Sequence, residues 1–261
     1  MPDVLVLCYH AISDRWPSPL AVRPDEFQRQ LALLVRRGYR GATFERAVTS
    51  PPASRTLAVT FDDGFRSVLA RALPILTSFD VPATVFVVTD LVGAETPMSW
   101  PGISHWVGSP YEDELVGMSW DELRSLRAAG WEVGSHTCSH PYLSRLDERA
   151  LRRELAGSRR ACEDELGTCR TLALPYGDGN RLVTRVASEE GYTAVAGLPA
   201  PGLPRAGWPR VGVYPPDELR RFRVKVARPV RLVREASRVA PVDAVVRALR
   251  PSRRRRAAQS E

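Results

Sequence analysis

Short apolar runs alternate with amphipathic stretches along most of this chain, and that alternation restricts its fold more than any other feature. The apolar runs have the length of buried strands, and the stretches between them repeat apolar residues at helical spacing. Strands that alternate with helices are typical of a parallel α/β sheet, either open or closed into a barrel. Strands are predicted at residues 4–9, 57–61, 83–88, 131–135, 172–174 and 194–196.

Local signals mark the ends of the predicted helices. Pro24 begins a helix that Gly38 closes. Ser119 and Glu122 have the spacing of a capping box, which begins a helix ending at Gly130. Further helices are predicted after the second strand and near residues 146–166 and 181–190, and an aromatic-rich insertion is predicted at 92–117.

Composition narrows the class of protein. The 261 residues are 44% hydrophobic and 26% charged, which is typical of a globular protein and excludes a disordered or fibrous one. The first residues do not resemble a signal peptide, and no run reaches the ~20 apolar residues of a transmembrane helix. The four cysteines form no closely spaced pair, which fits a reduced state. We therefore expect a cytoplasmic protein.

The positive charge is concentrated near the carboxyl terminus. Residues 217–261 contain 14 basic and 5 acidic side chains, a net charge of +9, so residues 1–216 carry −2 of the total of +7. This shift predicts a catalytic domain at 1–216 and a basic helical or disordered tail at 217–261, ending in the arginine run 253–256. Such a tail could lie on the anionic inner face of a membrane, or it could be a partly packed helix with a solvated end. The near-neutral domain argues against a nucleic-acid partner.

Two adjacent carboxylates, Asp62 and Asp63, follow the predicted strand 57–61 and precede Gly64. Neighbouring side chains on an extended chain diverge, so the two carboxylates can serve different purposes. One could bind a metal while the other accepts a proton from water. The alternative is an ordinary turn, because Asp and Gly both favour turns.

Two histidines, His136 and His140, follow the predicted strand 131–135. On a helical turn, residues four apart project to one side and can hold one ion. The alternative is a pair of hydrogen-bonded loop histidines. Because chemistry in parallel α/β folds gathers at the carboxyl ends of strands, the two motifs together predict a zinc site with open positions for water and substrate.

The motifs Thr60–Gly64 and Ser135–Pro141 resemble the first two motifs of the polysaccharide deacetylase family, also called the NodB-homology group or carbohydrate esterase family 4, and Leu174–Gly177 resembles the third. The resemblance covers roughly residues 4–214. It implies a distorted (β/α)7-type barrel and hydrolysis of N-acetyl groups on amino sugars. It also implies site residues: Asp63, His136 and His140 as metal ligands, Asp62 as the base, and Tyr176 lining the site with its backbone N–H in the oxyanion hole.

Two positions depart from the family pattern. Ala173 stands where the third motif often has an arginine that orients the base, and Arg210 is a candidate replacement, with a surface arginine as the alternative. The late histidine that often acts as general acid has no counterpart after His140. Tyr9-His10 resembles the start of a subgroup similar to poly-N-acetylglucosamine deacetylases, so His10 is the expected general acid, with a histidine satisfied at a strand end as the alternative.

Aromatic residues supply weaker predictions. Trp100, Trp106 and Trp208 are candidates for stacking on sugar rings, although loop packing against the barrel is an equal alternative for the insertion. Cys138 lies between the two histidines and is expected to pack rather than bind metal.

The predicted function is that of a Zn²⁺-dependent hydrolase that releases acetate from an N-acetylated amino sugar or polysaccharide precursor. Two alternatives stay open. The same metal site could act on a non-polymeric amide such as a formamide or a cyclic amide, or the fold could bind glycans without catalysis. The presence of both the Asp pair and the His pair argues against the non-catalytic alternative.

Overall fold

A nearly closed sheet of nine parallel strands forms the centre of the computed structural model, which describes residues 2–198 and 206–236. The strands are β1 (Asp3–Tyr9), β2 (Ala11–Ile12), β3 (Ala21–Val22), β4 (Arg40–Gly41), β5 (Arg55–Phe61), β6 (Ala83–Val87), β7 (Glu132–Ser135), β8 (Thr171–Ala173), β9 (Ala194–Gly197), β10 (Trp208–Pro209) and β11 (Val211–Gly212). Their order in the main sheet is β10-β9-β8-β7-β6-β5-β1-β11, with β4 beside the first part of β5. The separate pair is β2 with β3.

A single short segment, residues 208–212, bridges the two ends of this sheet. β10 pairs with β9, and β11, one residue later, pairs with β1 at the opposite end. Arg210 lies between these two short strands, and its backbone N–H donates to the Gly197 carbonyl at 3.1 Å. The sheet is therefore barrel-like, and Arg210 lies at its seam.

The helices are α1 (Pro24–Arg36), α2 (Phe44–Thr49), α3 (Leu73–Ser78), α4 (Trp120–Ala128), α5 (Glu148–Leu166), α6 (Arg181–Glu189), α7 (Leu219–Lys225) and α8 (Arg228–Ala236). The predicted capping box begins α4: the Ser119 hydroxyl accepts from the Glu122 N–H at 3.3 Å, and the Glu122 carboxylate accepts from the Ser119 N–H at 2.9 Å. α5 ends at Gly167, whose φ of 77° is the left-handed conformation that favours glycine.

Alternate residues of the strands face either the barrel interior or the surrounding helices. Small side chains such as Val6 of β1 and Ala58 of β5 pack with Phe86 of β6 in the interior cluster. Larger side chains such as Leu7 and Val59 belong to the outer cluster with the helices. The interior parity continues toward the carboxyl ends of β1 and β5, where the side chains become polar.

The predicted α/β barrel is confirmed, and the predicted strands and helices lie close to their observed bounds. The sequence patterns do not indicate β2, β3, β4, β10 or β11, because a strand of two residues is too short to show a periodicity.

The insertion at 92–117 packs onto the barrel. Trp100, Ile103 and Leu115 are buried in one cluster with Phe65, which follows β5. The insertion therefore forms a wall beside the carboxyl end of β5.

The basic segment predicted at 217–261 begins with α7 and α8, and both pack on the barrel. Phe222, Val226 and Val230 are buried, and Arg231 forms an ion pair with Asp3 at the start of β1. Within the described part of the chain, no helix combines the length and apolar character needed to cross a membrane. The arginine run 253–256, on which the predicted membrane contact depends, lies outside the described residues.

Candidate active site

The polar residues singled out in the sequence converge at the carboxyl ends of the strands. Asp62 and Asp63 follow β5, and His136 follows β7, with β6 paired between these two strands. Asp63 has a left-handed backbone, with φ of 73°, and Gly64 continues it at 81°. Left-handed non-glycine residues cost of order 1–3 kcal/mol and concentrate at functional sites. This turn directs the two adjacent carboxylates to different places.

A loop, rather than the helical turn that the spacing predicts, brings the two histidines together. Thr137 and His140 both have left-handed backbones, with φ of 71° and 62°. The Thr137 hydroxyl accepts a hydrogen bond from the His140 N–H at 3.0 Å, which fixes the loop. The centroids of the His136 and His140 rings lie 4.9 Å apart. Two left-handed residues therefore achieve the convergence that a helical turn would give.

Asp63, His136 and His140 form a buried group that we call the ligand cluster. Asp63 Oδ1 lies 3.4 Å from Nε2 of each histidine. One donor atom of each residue lies within 4.8 Å of the other two. Two imidazole nitrogens and one carboxylate oxygen thus face a common point.

Backbone contact fixes the orientation of the His136 ring. His136 Nδ1 lies 2.9 Å from the Ala173 carbonyl oxygen. A carbonyl only accepts, so Nδ1 carries the hydrogen, and the lone pair of the neutral ring lies on Nε2, toward Asp63. Histidines that bind metals are commonly held by such a contact on the other ring nitrogen.

Aromatic side chains hold the second histidine of the ligand cluster. The His140 ring centroid lies 4.4 Å from that of Trp100 and 4.6 Å from that of Tyr176. His140 Nδ1 is buried and has no hydrogen-bond partner among the described residues. Packing, rather than a hydrogen bond to this atom, sets the ring orientation.

The electrostatics of the ligand cluster fit a divalent cation. Burial alone raises the pKa of Asp63, but contacts with His136 and His140 lower it by more than burial raises it, so the carboxylate is ionised. Burial lowers the pKa of His140, which keeps that ring neutral. For His136 burial acts in the same direction, but Asp62 and Asp63 outweigh it and raise the pKa. An ionised carboxylate and imidazole nitrogens are suitable metal ligands, so Asp63, His136 and His140 could hold a metal ion.

Asp62 belongs to a second group, the Asp62 cluster, which also contains Cys8, His10 and Arg210. Arg210 forms a bidentate ion pair with Asp62, with 2.6 Å from Nη1 to Oδ1 and 2.8 Å from Nη2 to Oδ2. Arg210 Nη1 also donates to the Thr60 hydroxyl at 3.0 Å. Burial raises the pKa of Asp62, but the guanidinium more than offsets this effect, so the pKa lies below its ordinary value. Arg210 therefore contacts the carboxylate expected to act as base.

The two residues from β1 and its end complete the Asp62 cluster. Cys8 faces the barrel interior, and its thiol donates to Asp62 Oδ2 at 3.3 Å. Burial raises the pKa of this thiol well above its ordinary value, which keeps it protonated. One ring nitrogen of His10 lies within 4.8 Å of donor atoms of Cys8 and Asp62. The ring stacks on Tyr214, with centroids 6.1 Å apart.

Tyr176 lies beside the ligand cluster on the turn after β8. Its backbone is left-handed, with φ of 58° and ψ of 7°. Its ring stacks on Tyr142 at 4.0 Å, and the Arg145 guanidinium lies 4.2 Å from the Tyr142 centroid. The turn holds the Tyr176 ring against that of His140, with the centroids 4.6 Å apart.

The three tryptophans predicted to bind sugar have different surroundings. Trp100 is buried against His140. Trp106 packs within the insertion, with ring centroids 6.0 Å from Trp16 and 5.5 Å from Tyr111. Trp208, on β10, is 38% exposed. Cys138 bonds to backbone carbonyls of α5, as expected of a packing residue.

Several residues of the site carry no sequence motif that identifies them. Cys8 could have been found from strand parity, because it pairs with Thr60 in register and shares its inward direction. Tyr142 lies only two residues after His140, whereas Tyr214 approaches the site only through closure of the barrel, which leaves no local signal.

Comparison with known proteins identifies the class that this fold and site define. The family model described as polysaccharide deacetylase matches residues 49–195, more than half of the chain. The matched range contains both carboxylates after β5 and both histidines after β7. The chain belongs to the polysaccharide deacetylase family, the NodB-homology or carbohydrate esterase family 4 group.

Individual relatives are distant. The family member YxkH of Bacillus subtilis is 23% identical over 193 residues, 72% of this chain and 61% of that protein. The poly-β-1,6-N-acetyl-D-glucosamine N-deacetylase of Escherichia coli is 25% identical over 156 residues, 53% of this chain. The chain spans only 21% of the length of that second relative.

Solved structures share the fold. IcaB of Ammonifex degensii has a TM-score of 0.69 and 26% identity, over 87% of this chain and 98% of that one. The deacetylase PplD of Streptococcus pyogenes has a TM-score of 0.70 over 87% of this chain and all of that one, at 23% identity. The nearly closed parallel barrel is thus shared along most of the chain.

Proposed function

We propose that the protein hydrolyses N-acetyl groups of an amino sugar within a glycan and releases acetate and a free amine. The observation that carries this proposal is the adjacency of the two clusters. Asp63 converges with His136 and His140, while the neighbouring Asp62 is held by Arg210 and lies near His10. A metal site and a pair of proton-transfer groups are the parts that amide hydrolysis needs.

The ligand cluster is proposed to hold Zn²⁺, which prefers nitrogen and oxygen donors of this kind. When bound there, the ion would polarise the acetamide carbonyl and activate a water molecule. Asp63, His136 and His140 hold it, and the Ala173 carbonyl and the Trp100 ring keep the histidines oriented.

Asp62 is proposed to be the general base. The Arg210 guanidinium keeps it ionised and aligned, so that it accepts the proton released as water attacks the carbonyl carbon. Arg210 thus performs the orienting role for which Ala173 has no side chain.

Tyr176 and His10 are proposed to complete the reaction. The Tyr176 backbone N–H stabilises the negative oxygen that develops, a contribution of roughly 3–4 kcal/mol per donor in comparable sites. His10 donates a proton to the nitrogen as the C–N bond breaks. The acetyl group leaves as acetate, and the sugar keeps an amine.

The relatives support a glycan as the substrate. One curated relative is named a poly-β-1,6-N-acetyl-D-glucosamine N-deacetylase, and another, 28% identical over 149 residues, is named a chitin deacetylase. Both names describe a polymer of N-acetylglucosamine. The linkage that this protein prefers is the quantity to measure.

The test is acetate release from β-1,6- and β-1,4-linked N-acetylglucosamine oligomers with added zinc or cobalt. Release is expected only with metal, and a chelator should abolish it. Asp63→Ala is the matched variant that removes one proposed ligand. A folded, metal-loaded protein that releases no acetate from either series contradicts the proposal. Hydrolysis of a small N-formyl or cyclic amide by that preparation would replace it.

A further inference from the structure

We propose that Tyr214 is a positioning residue that orients His10, and that α7 holds Tyr214 in place through Asp217 and Lys225. This inference rests on the proposed role of His10 as proton donor. It adds Tyr214, which follows the family motifs in sequence, to the site. It also adds Asp217 and Lys225, which lie in the segment that composition alone predicts to be a basic tail.

Stacking, rather than a hydrogen bond at Nδ1, fixes the orientation of the His10 ring. His10 Nδ1 is buried and has no hydrogen-bond partner among the described residues. The ring of Tyr214 stacks on that of His10 with an interplanar angle of 28° and centroids 6.1 Å apart. This separation lies within the range of favourable offset stacking. The flat face of Tyr214 therefore limits the tilt of the imidazole.

The Tyr214 ring is itself confined by the barrel seam. A Cβ atom on Gly212 would lie 2.9 Å from Tyr214 Cε2 and 3.0 Å from its hydroxyl oxygen, so only glycine allows the ring to lie against this strand. Gly212 pairs with Cys8 in register. Tyr214 thus follows the end of β11 by two residues, and β11 pairs with β1, the strand that directly precedes His10.

Asp217 fixes the turn that carries Tyr214. Its carboxylate accepts from the Tyr214 N–H at 3.1 Å, and its own N–H donates to the Tyr214 carbonyl at 2.8 Å. Its carbonyl accepts from Gln30 Nε2 at 2.8 Å, and Gln30 Oε1 accepts from the Tyr9 hydroxyl at 2.8 Å. The turn is therefore tied to α1 and to the residue before His10.

Lys225 links α7 to the same turn. Its ammonium group forms a buried ion pair with the Asp217 carboxylate and lies 5.4 Å from the centroid of the Tyr214 ring. Phe222, one turn earlier on α7, is fully buried and anchors the helix. α7 therefore helps to hold the Tyr214 ring on which the His10 ring stacks.

The test compares two substrates that differ in their need for a proton donor. An amine leaves an amide only when it is protonated, whereas 4-nitrophenolate leaves its acetate ester without this help. The ratio of kcat for an N-acetylglucosamine oligomer to kcat for 4-nitrophenyl acetate therefore reports on the proton donor alone. Damage to the ligand cluster lowers both rates.

For Tyr214→Ala we expect amide kcat to fall about 10- to 100-fold, the scale of a small misplacement of a catalytic group, while ester kcat stays within about threefold. Tyr214→Phe keeps the stacked ring and should recover most of the amide rate. Asp217→Asn should shift the ratio in the same direction by a smaller factor. It replaces Tyr214→Ala as the test variant if Tyr214→Ala does not fold. Tyr39→Ala is the matched control, because Tyr39 is buried and bonds to Asp3 at the opposite end of β1.

His10→Ala separates the two levels of the proposal. If it leaves the ratio unchanged, the proposed role of His10 fails and the positioning role fails with it. If His10→Ala lowers the ratio, the proposed role of His10 stands. The positioning role alone is then overturned if Tyr214→Ala changes neither rate, or if it lowers both rates equally, as Tyr39→Ala would.

Discussion

The ligand cluster and the Asp62 cluster meet at adjacent residues, yet they are built in different ways. Asp63, His136 and His140 stand on two loops that follow β5 and β7, and left-handed backbones at Asp63 and His140 aim them. Asp62 and Arg210 are 148 residues apart in sequence and meet inside the barrel because residues 208–212 close the sheet. One cluster depends on loop conformation, and the other depends on closure of the barrel.

This difference predicts separate responses to substitution. Changes in the ligand cluster should alter metal content, while changes in the Asp62 cluster should alter turnover with the metal retained. A variant that affects both equally would show that the two clusters are a single unit.

Asp63→Ala should have the largest effect. It removes the carboxylate that faces both histidines, so metal affinity should fall by more than the about 10- to 100-fold typical of outer contacts of a metal site. Metal content after dialysis and acetate release check this together. Stoichiometric metal in the purified variant would show that Asp63 is not a ligand.

Asp62→Asn should keep the metal and lose about 10²- to 10⁴-fold in kcat, the range for removal of a general base. The amide side chain keeps the size of the carboxylate but cannot accept the proton. Metal analysis and kcat on the same preparation test the separation. Full activity would make the assignment of the base wrong.

Arg210→Met should lower both stability and turnover while the metal remains. Removing one partner of a buried ion pair costs about 3–5 kcal/mol, because the remaining charge is left without compensation. The free energy of unfolding in urea measures the first effect, and kcat, expected to fall about 10- to 100-fold, measures the second. Arg210→Lys keeps the charge but not the bidentate geometry. Its free energy of unfolding and its kcat should therefore lie between those of the unchanged protein and those of Arg210→Met. Unchanged kcat in both variants would remove Arg210 from the mechanism.

The same contrast explains what the sequence could predict. The parallel barrel follows from alternating strands and helices, and the convergence of Asp63 with the histidines follows from motifs that directly succeed predicted strands. Spacing alone predicts a helical turn between the histidines, because it does not reveal the left-handed residues at Thr137 and His140.

Contacts that depend on closure were harder to predict. The sequence makes Arg210 a candidate only because the motif containing Ala173 lacks an arginine, and its pairing with Asp62 requires the seam that residues 208–212 form. Tyr214 has no sequence signal, and for α7 the sequence leaves a packed helix and a solvated tail as alternatives, since the basic composition of the segment masks the few residues, such as Phe222, that anchor it. Net charge describes the whole segment, whereas packing depends on single side chains.

Trp100→Ala should weaken the metal site without touching the Asp62 cluster. The indole packs on the His140 ring at 4.4 Å, and its loss frees that ring to rotate. Metal affinity should fall about 10-fold, at the lower end for residues that orient ligands. At saturating metal, kcat should recover, and Trp106→Ala, which removes an indole from the same insertion without contacting His140, is the control. Failure of excess metal to restore kcat would assign Trp100 a role beyond packing.

Cys8 offers the smallest and most selective test of the comparison. Its thiol donates to Asp62 Oδ2, the oxygen that also accepts from Arg210 Nη2, so the carboxylate already has a stronger partner. The thiol is a weak donor, so loss of its hydrogen bond should cost no more than the about 0.5–1.5 kcal/mol of an ordinary hydrogen bond, which corresponds to a few-fold decrease in kcat for Cys8→Ala. Cys8→Ser keeps a donor at this position and should retain more of the rate, while metal content should be unchanged in both. Loss of metal in Cys8→Ala would mean that strain at Asp62 passes to Asp63 through their shared peptide, and the two clusters would then have to be treated as one.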